Sequence, residues 1–339
     1  MDYITRLNNS LKPHHSLNYT VLDLFAGCGG LALGFESVGF KTIGFEKDQN
    51  AAITYSNNLL GRCYEEELSR ASEYPEAQII IGGPPCQPFS VGGHQRGVYD
   101  PRDGFPIFLE AIKKVNPELW LFENVRGLLY ANKWYFEEIM QELASVGYII
   151  EYKLLNAVHF GVPQNRERLF VIGHRGKFVF PTPERRGYTV ADAIGDTMMT
   201  APSESKFLTP SMDKYVKNYE IASKCIRPRD LRPEESARTL TCRNIAAPTG
   251  DMHRVRLPDG RRRRLLVREA ARLQSFPDWF EFMGNETSQF YQIGNAVPPL
   301  LAQHLAQSVK DYFEQGVLFS KRELIEKPHT TFHKQLSLF

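Results

Sequence analysis

The strongest constraint on this chain is a repeated alternation between short apolar runs and helix-like segments. Apolar runs bounded by Gly or Pro include "TVLDLF", "KTIGFE", "AQIIIG", "ELWLFENV", "IIEYKLL" and "RLFVIG". Between them, segments such as 105–115 and 134–147 repeat apolar residues every three or four positions. Strands that alternate with amphipathic helices predict an α/β protein with a doubly wound, largely parallel sheet.

The pattern breaks near Pro181. Residues up to about 284 mix Pro, Arg, Ser and Thr without a sustained period, and a turn followed by an amphipathic helix then returns. We therefore predict a large domain formed by 18–184 and 285–318, a smaller, loop-rich domain at 185–284, and a tail at 319–339.

The charge of the chain is unevenly distributed. The net charge is +2, but residues 227–272 contain thirteen arginines, no lysine and six acids, so this stretch carries +7 and the remainder −5. An all-arginine block favours a polyanionic partner, since Arg makes paired contacts to phosphate and guanine. A solvated loop would explain "GRRRR" alone equally well.

The sequence contains no signal peptide and no apolar run near the ~20 residues that span a bilayer. The five cysteines, at 28, 63, 86, 225 and 242, lack zinc-ligand or disulfide-framework spacing. We expect free thiols, no metal site, and a monomeric protein in the cytoplasm, associated with the nucleoid.

A glycine-rich turn follows the first apolar run. In "VLDLFAGCGG", Gly27, Gly29 and Ala32 match G-x-G-x-x-[GA], and Glu46 ends the next apolar run. Such a turn lets a ligand approach the backbone, and the carboxylate suits ribose hydroxyls. The pattern fits any nucleotide-like cofactor, so a dinucleotide oxidoreductase and a purely structural turn both stay open.

Three further polar signals lie at the ends of apolar runs. Cys86 stands in "GGPPCQPFS", a loop too rich in Pro to continue a helix or strand; Glu123 stands in "FENV"; Arg166 and Arg168 stand in "QNRERLF". Because strand ends share one edge of a parallel sheet, Cys86 and Glu123 are expected near the glycine turn. A buried structural cysteine and a surface glutamate are the alternatives.

These blocks together resemble the DNA cytosine-5 methyltransferase family. The cofactor motif is "DLFAGCGGLALGF", the nucleophile loop "PPCQPFS", the glutamate motif "ENV" and the arginine motif "QNRERLF". They are followed by "REAARLQSFPD" behind the recognition region and by "QIGNAVPP". The blocks occur in the family's order over about 20–310. The resemblance implies a Rossmann-like catalytic domain and a small target-recognition domain, with S-adenosylmethionine as cofactor and double-stranded DNA as substrate.

The resemblance also implies residue roles. Cys86 would add to C6 of a flipped-out cytosine, Glu123 would hold N3 and the 4-amino group, and Arg168 would hold O2 with Arg166 near it. Glu65, in "CYEEEL", stands where the family has an Asp, and a surface acidic run is the alternative. The residues implied in cofactor binding are Phe25, Gly27, Gly29, Gly30, Glu46, Lys47, Glu65, Pro85, Asn295 and Ala296.

Candidate DNA contacts lie in two stretches. Thr239 and Leu240 resemble the Thr-Leu pair of the family's recognition domains, and Arg243 and Asn244 are expected to read base edges shortly after it. The remaining arginines of the block are expected to bind phosphates. Gln87 and Ser90 begin the loop after Cys86, a glycine-rich segment that is either a lid over DNA or a plain flexible loop.

The chain ends on "QLSLF". This pentapeptide resembles the short peptide by which bacterial DNA-replication and repair proteins dock on the sliding clamp, and the candidate contacts are Gln335, Leu336, Leu338 and Phe339. Packing of the tail on its own domain is the alternative.

Two rival functions remain on the sequence alone. An RNA methyltransferase of the transfer-RNA branch would share the catalytic motifs, although the arginine-rich recognition region and the Ser that ends "PPCQPFS" favour DNA. A non-catalytic DNA-binding protein would not need the combination of Cys86, Glu123 and Arg168.

Overall fold

The structure is a computed structural model that describes residues 1–85, 103–130, 132–224, 229–246 and 250–316, and the backbone of 333–334. The chain divides into two compact units. We call residues 13–156, 167–182 and 302–339 the sheet unit, and residues 1–12, 157–166 and 183–301 the arginine-rich unit. The arginine-rich unit includes 185–284, predicted as a domain, and also 285–301.

The sheet unit is built on an eight-stranded sheet with the order β12-β6-β8-β5-β4-β1-β2-β3. Only β8 runs antiparallel to its neighbours, so the predicted, largely parallel sheet is confirmed. The strands are β1 (Thr20–Leu24), β2 (Lys41–Glu46), β3 (Arg62–Glu65), β4 (Ile79–Gly82), β5 (Leu119–Val125), β6 (Ile149–Asn156), β8 (Glu167–His174) and β12 (His333–Lys334).

Helices connect these strands. They are α2 (Gly30–Glu36), α3 (Gln49–Asn58), α4 (Phe105–Val115), α5 (Lys133–Ser145) and, from Ala302 onward, α11 (Pro299–Glu314). The chain proceeds from β1 to β2 and β3 on one side, and then returns to place β4 and β5 on the other. The order of strands therefore reverses between β1 and β4, where α/β sheets bind ligands beyond the carboxyl ends of their strands.

One face of the sheet is covered by α4 and α5. Trp120 and Phe122 of β5 are fully buried, and Phe108 of α4 meets both rings edge-on. The α4 segment is the predicted repeat at 105–115, and it ends where Asn116 adopts the left-handed conformation, with φ 49°. The aromatic core thus holds β5, the strand that carries Glu123.

The arginine-rich unit contains more regular structure than its sequence indicates. Short paired strands and six α-helices lie within its described residues. The elements are α1 (Tyr3–Ser10), β7 (Gln164–Asn165), α6 (Val190–Met198), α7 (Pro210–Ala222), β9 (Ala237–Arg238), α8 (Cys242–Ile245), β10 (Arg254–Arg256), β11 (Arg262–Arg264), α9 (Val267–Leu273) and α10 (Glu286–Asn295). The predicted loop-rich character of 185–284 needs correction for α7, which spans 13 residues with one buried core residue, Val216.

Helix α1 belongs to the arginine-rich unit although it begins the chain. Asp2 caps the helix by accepting a hydrogen bond from the Thr5 N–H, and Leu7 and Leu11 are fully buried. The Tyr3 hydroxyl donates to the Arg272 carbonyl over 2.8 Å. The N-terminal segment is therefore an integral layer of this unit.

No helix in the described part of the chain is both long enough and apolar enough to cross a membrane.

Candidate active site

Four predicted site residues and Gly83 lie in one row along the edge of the sheet. The register pairs Leu24 of β1 with Phe45 of β2 and with Gly82 of β4, and it continues to β3 and β5 through Tyr64 and Phe122. The next residue on each strand therefore stands at the same level. From one side to the other these residues are Glu65, Glu46, Phe25, Gly83 and Glu123.

The glycine turn is held by Glu46. The Glu46 carboxylate accepts one hydrogen bond from the Gly27 N–H and another from the Asp48 N–H, both over 2.8 Å. Gly27 and Gly29 have φ of 55° and 87°, values that favour glycine. Phe25 also has a positive φ of 59°, which for a bulky residue is strained and is typical of functional sites.

The turn fits a nucleotide-like cofactor. A Cβ at Gly29 would stand 2.8 Å from the Tyr55 ring, so the glycine keeps the backbone close to α3 beneath the turn. A carboxylate has about four acceptor positions. Glu46 uses one of them on Gly27 of the turn and one on Asp48, and it keeps acceptors for ribose hydroxyls.

Asp23 is a buried carboxyl beneath this turn. The side chain is 1% exposed, and its Oδ2 has no hydrogen-bond partner among the described residues. Burial, and secondarily the charge of Glu46, raise the pKa of Asp23 well above its ordinary value. The pKa of the neighbouring Cys28 thiol is likewise raised by burial, to about 12, so this cysteine is an unreactive thiol.

Two of the residues predicted to bind the cofactor, Glu65 and Lys47, are exposed, whereas Gly30 is buried at the start of α2. Glu65 ends β3 beside Glu46, and Lys47 forms a surface ion pair with Glu67 over 3.2 Å. The position of Glu65 is compatible with the predicted role, and also with a surface acidic run.

Glu123 and Arg168 form the polar centre of the other end of the row. Arg168 Nε lies 2.8 Å from Glu123 Oε1, and the two side chains are 11% and 13% exposed. Burial lowers the pKa of Arg168, and Glu123 opposes that effect. The ion pair orients a carboxylate and a guanidinium side by side, as recognition of a base edge requires.

The segment that precedes Cys86 is anchored by two hydrogen bonds. Asn124 Nδ2 donates to the Pro84 carbonyl over 3.0 Å, and the Gly104 N–H donates to the Pro85 carbonyl over 2.9 Å. A Cβ at Gly83 would stand 3.6 Å from Glu123 Oε2, so the loop passes directly by that carboxylate. Cys86, Gln87, Ser90 and the predicted lid lie outside the described residues.

Arg166 has a different setting from Arg168. It belongs to the arginine-rich unit, is 1% exposed, and donates to the carbonyls of Leu240, Gly294 and Ala296 over 2.6–3.1 Å. Its described contacts thus tie the Thr-Leu segment to the "QIGNAVPP" motif. Asn295, exposed at the end of α10, and Ala296 lie in this same unit.

The predicted DNA-reading residues separate into two groups. Arg243 is exposed, and the partly exposed Thr239 donates its hydroxyl to the Asn165 carbonyl over 2.7 Å. Asn244 is 5% exposed; its Nδ2 donates to the Thr239 carbonyl and its Oδ1 accepts from the Thr241 N–H. Because its amide is engaged in this capping interaction, we do not assign Asn244 to base reading.

Most of the arginine block is also engaged internally. Arg263, fully buried, pairs with Glu269, and Arg254 pairs with Glu220 and Asp230. Others donate to backbone carbonyls or exposed acids: Arg264, Arg268, Arg272, Arg261 and Arg262. The general assignment of these arginines to phosphates is therefore corrected: the block largely builds the unit.

The fold and this site define a cofactor-dependent α/β enzyme with a carboxylate, a guanidinium and an anchored cysteine loop at one sheet edge. The family model of C-5 cytosine-specific DNA methylase matches residues 19–311. The chain belongs to this family. It is a DNA cytosine-5 methyltransferase, and S-adenosylmethionine is its cofactor.

Individual relatives agree with this assignment. The chain is 54% identical over 317 residues to the Type II methyltransferase M.AplI of Arthrospira platensis, covering 91% of each chain. It is 35% identical to M1.HphI of Haemophilus parahaemolyticus, covering 87% of each. The methyltransferase EhMeth of Entamoeba histolytica, 17% identical, shares the fold with a TM-score of 0.67 over 88% of this chain and 99% of that one.

Sequence reasoning missed Asn124 and Asp23 although both stand in quoted motifs, "ENV" and "DLFAG". The sequence did contain one signal for Asn124: its side-chain amide stands at the predicted end of a strand, directly after Glu123. Nothing in the sequence connects it to the Pro84 carbonyl, because that contact spans 40 residues.

Proposed function

We propose that the enzyme methylates C5 of a cytosine in double-stranded DNA through a covalent adduct with Cys86. The observation that carries this assignment is the Glu123–Arg168 pair beside the anchored Pro84–Pro85 segment. Cytosine C5 is a poor nucleophile, and addition of a thiolate at C6 makes it an enamine carbon.

In this mechanism the sulfur of Cys86 forms a bond to C6, and the ring electrons shift toward C5 and N3. Glu123 shares a proton with N3 and accepts a hydrogen bond from the 4-amino group. Arg168 donates to O2, and its charge stabilises the electron-rich ring. C5 would then take the methyl group of the bound cofactor, whose sulfur keeps the electron pair of the broken S–CH3 bond. Once C5 carries that methyl group, loss of its proton to water re-forms the C5–C6 double bond and expels Cys86 as the thiolate.

S-adenosylmethionine, when bound, supplies the electrophilic methyl group. Among the described residues of the sheet unit, Phe25 would offer an aromatic face to the adenine, Glu46 would accept from the ribose hydroxyls, and Gly27 and Gly29 would leave room for the backbone to approach the ligand. Glu65 is the proposed adenine contact, and Lys47, Pro85, Asn295 and Ala296 are further proposed contacts.

The reaction requires the target base to leave the duplex. Cytosine C6 is stacked in duplex DNA, and extrusion of a base costs a few kcal/mol. We assign residues 185–284 to target recognition, with Thr239 and Arg243 as DNA contacts and Gln87 and Ser90 as further candidates. Arg166 acts in this proposal as a positioning residue, because it joins the Thr-Leu segment to the "QIGNAVPP" motif.

The biological setting that we propose is a restriction-modification system in the cytoplasm, acting on nucleoid DNA. The relatives at 54% and 35% identity are named Type II methyltransferases, which supports this setting. The same names make the transfer-RNA alternative the less favoured one.

The test is a methylation assay with tritiated S-adenosylmethionine. Purified protein and a Cys86→Ser variant are each incubated with unmethylated bacterial genomic DNA and with transfer RNA. Modified bases are then mapped by bisulfite sequencing. We expect label on DNA at one short sequence, absent in the variant. Label on transfer RNA alone would contradict the proposal.

A trapping experiment tests the covalent step separately. In DNA that carries 5-fluorocytosine at the mapped target, no proton can leave C5, so the S–C6 bond persists. We expect an adduct stable on a denaturing gel with the wild type and none with Cys86→Ser. Turnover without a trapped adduct would exclude the Cys86 route.

We also propose that Gln335, Leu336, Leu338 and Phe339 dock on the bacterial sliding clamp. The proposal rests on the "QLSLF" resemblance, and these residues lie outside the described part of the chain. A pull-down with purified clamp compares the full chain with one that lacks 335–339. We expect retention of the full chain only, and equal retention would contradict the proposal.

A further inference from the structure

The arginine-rich unit contains an open hollow of about 720 Å³ next to the Thr-Leu segment. Both charge signs line it. The side chains that matter for the argument are Arg229, Arg232, Arg238, Asp230, Glu235 and His253. All of them belong to the same compact unit.

The mixture of charges favours base edges over phosphate as the ligand. A site for phosphate alone would gain nothing from the exposed carboxylate of Glu235, which pairs with Arg232 and repels an anion. Asp230 also lines the hollow, but its charge is compensated by Arg254. The major groove instead presents acceptors on guanine and amino donors on cytosine and adenine. A hollow lined by guanidinium and carboxylate groups complements such a surface.

Arg238 is held at two points by Asp251, which also pairs with Arg229 over 3.2 Å. Arg238 Nη1 lies 3.4 Å from Asp251 Oδ1, its Nη2 donates to the Asp251 carbonyl over 3.2 Å, and its side chain is 39% exposed. Asp251 therefore restricts the guanidinium without burying it. A preordered side chain loses less conformational entropy on binding than a free one.

The backbone of Arg238 is fixed as well. It lies in β9, which pairs in parallel with β7, where Arg238 is the partner of Asn165. The next two residues are held by hydrogen bonds: the Thr239 hydroxyl donates to the Asn165 carbonyl, and the Leu240 N–H donates to Gln164 Oε1. Reading residues need this kind of rigid support.

His253 adds a second, independent sign of a ligand. It lines the hollow while 2% exposed, and its Nδ1 has no hydrogen-bond partner among the described residues. Burial and the charge of Arg238 lower its pKa to about 3, so the ring is neutral at physiological pH. A neutral ring adds no charge to the hollow, so the arginines supply its positive charge. Among them, Arg238 directly precedes Thr239 of the Thr-Leu pair.

We propose that Arg238 reads a guanine of the recognition sequence, and that Asp251 positions its guanidinium for that contact. The inference rests on the proposed methylation of double-stranded DNA at a specific site. Wild-type activity on genomic DNA, measured in the same assay, tests that function separately.

The experiment measures kcat/KM on the mapped target duplex and on duplexes with each base pair replaced in turn. The variants are Arg238→Ala, Arg238→Lys and Asp251→Asn. The matched control is Arg261→Ala, which removes a more exposed arginine, 59% against 39% for Arg238, that is also paired with an acid, Asp259, and lies outside the hollow. Circular dichroism and S-adenosylmethionine affinity verify the fold of each variant.

We expect Arg238→Ala to lower kcat/KM on the target by roughly 5- to 150-fold, the span of one paired arginine–guanine contact. The loss of discrimination should be confined to one G·C pair. Arg238→Lys should recover little, because lysine lacks the planar fork, and Asp251→Asn should weaken discrimination at the same pair by a smaller factor. Arg261→Ala should match the wild type.

Two results would overturn the proposal. One is an equal loss on every duplex with recovery by Arg238→Lys and a salt slope reduced by about one, which identifies a phosphate contact. The other is Arg238→Ala activity equal to that of Arg261→Ala. If Arg238→Ala does not fold, the position-by-position comparison of Arg238→Lys with the wild type decides between the same outcomes.

Discussion

Glu123 and Arg168 form an ion pair at the edge of the sheet. Both side chains are largely removed from water, and burial lowers the pKa of Arg168 while Glu123 opposes that change. A buried pair of this kind contributes little net stability, because desolvation offsets the attraction between the charges. Its value in the proposed mechanism is orientation of two groups toward one base edge.

We predict that Glu123→Gln lowers kcat by about 10²- to 10⁴-fold, the usual contribution of a positioned proton-transfer group. The amide can still contact Arg168, so DNA affinity should change much less than kcat. Single-turnover methylation and DNA titration measure the two quantities. The matched control is Glu167→Gln. Glu167 is more exposed than Glu123 and pairs with a different arginine, Arg126. Retention of kcat in Glu123→Gln would remove Glu123 from the mechanism.

Asn124 connects the strand of Glu123 to the cysteine loop. Its amide donates to the Pro84 carbonyl, and its Oδ1 accepts from the Val125 N–H. We predict that Asn124→Ala lowers kcat by about 10- to 100-fold, because small displacements of a reacting group carry penalties of this size. The affinity for S-adenosylmethionine, measured by calorimetry, should stay unchanged. A reduced affinity with normal kcat would contradict this positioning role.

Asp23 makes the stability of the protein depend on pH. Its pKa is raised in the folded state, so the folded protein binds a proton that the unfolded chain releases. Stability from this group is complete below the ordinary Asp pKa of about 3.9 and is lost as the pH rises toward the raised value.

We predict that Asp23→Asn becomes progressively more stable than the wild type as the pH rises above about 4, the ordinary Asp value. Urea unfolding at a series of pH values measures the difference in the free energy of unfolding. If the free energies of unfolding of the two proteins changed with pH in parallel, folding would not raise the pKa of Asp23.

At the scale of elements, the arginine run at 261–264 shows how a strand distributes charge. Arg262 to Arg264 form β11, whose burial alternates so that only the middle residue is fully buried. Arg263 pairs there with Glu269 and donates to the carbonyls of Thr197 and Thr200. The buried Arg263 therefore lies between two partly exposed arginines, Arg262 and Arg264, which contact Asp213 and the Ala246 carbonyl.

We predict that Arg263→Ala destabilises the protein by about 3–5 kcal/mol, because Glu269 would remain buried without its partner. Arg261→Ala, two positions away, should change stability by at most about 1 kcal/mol, since its pair with Asp259 is exposed. Urea unfolding compares the two. If both variants lost a similar free energy of unfolding, the buried and the exposed arginine of this run would not differ in their contribution to stability.

The two glycines of the cofactor turn permit another comparison. Ala at Gly27 or Gly29 would incur a left-handed backbone penalty of about 1–2 kcal/mol. Only at Gly29 would the new Cβ also overlap the Tyr55 ring, at 2.8 Å, whereas no atom lies within 4 Å at Gly27. We predict a larger loss of stability for Gly29→Ala than for Gly27→Ala by urea unfolding. Equal losses would mean that Tyr55 yields without penalty.

Elements with a strong local period could be predicted from the sequence. The α4 segment and the six quoted apolar runs appear as expected, because their side chains pack against neighbours at a regular spacing. Strand β3 was not predicted as an element, since "RCYE" has one buried residue. In the site, Glu46, Phe25 and Glu123 could be placed at one edge from the strand order. Arg166 could not, because its partners lie 74 to 130 residues along the chain. The role of Asn244 was missed for a different reason: its local contacts cap a four-residue helix that the sequence pattern does not indicate.

At the scale of the whole molecule, the arginine-rich unit is assembled from three separate chain segments. Helix α1 precedes the family match at 19–311 and still buries Tyr3, Leu7 and Leu11 in that unit. The Asn8 side chain accepts a hydrogen bond from the Asp278 N–H, 270 residues away in sequence. The arginine-rich unit therefore depends on contacts between segments that lie far apart in the sequence.

We predict that Leu7→Ala destabilises the arginine-rich unit by about 2–5 kcal/mol, the range for a large buried side chain reduced to a methyl group. DNA methylation should therefore be lost at a lower temperature than in the wild type. Asn9→Ala, an exposed change on the same helix, is the control. Thermal inactivation and S-adenosylmethionine binding are measured together. Identical inactivation of both variants would make α1 dispensable.

The three-segment origin of this unit sets a rule for exchanging specificity between relatives. A graft of residues 185–284 alone would bring Arg272 without Tyr3 and would separate Leu240 from Arg166. The recipient would have to supply both missing partners in compatible positions. A chimaera that transfers 1–12, 157–166 and 183–301 together keeps these contacts, so the transferable module is defined by its contacts and not by one continuous stretch of gene.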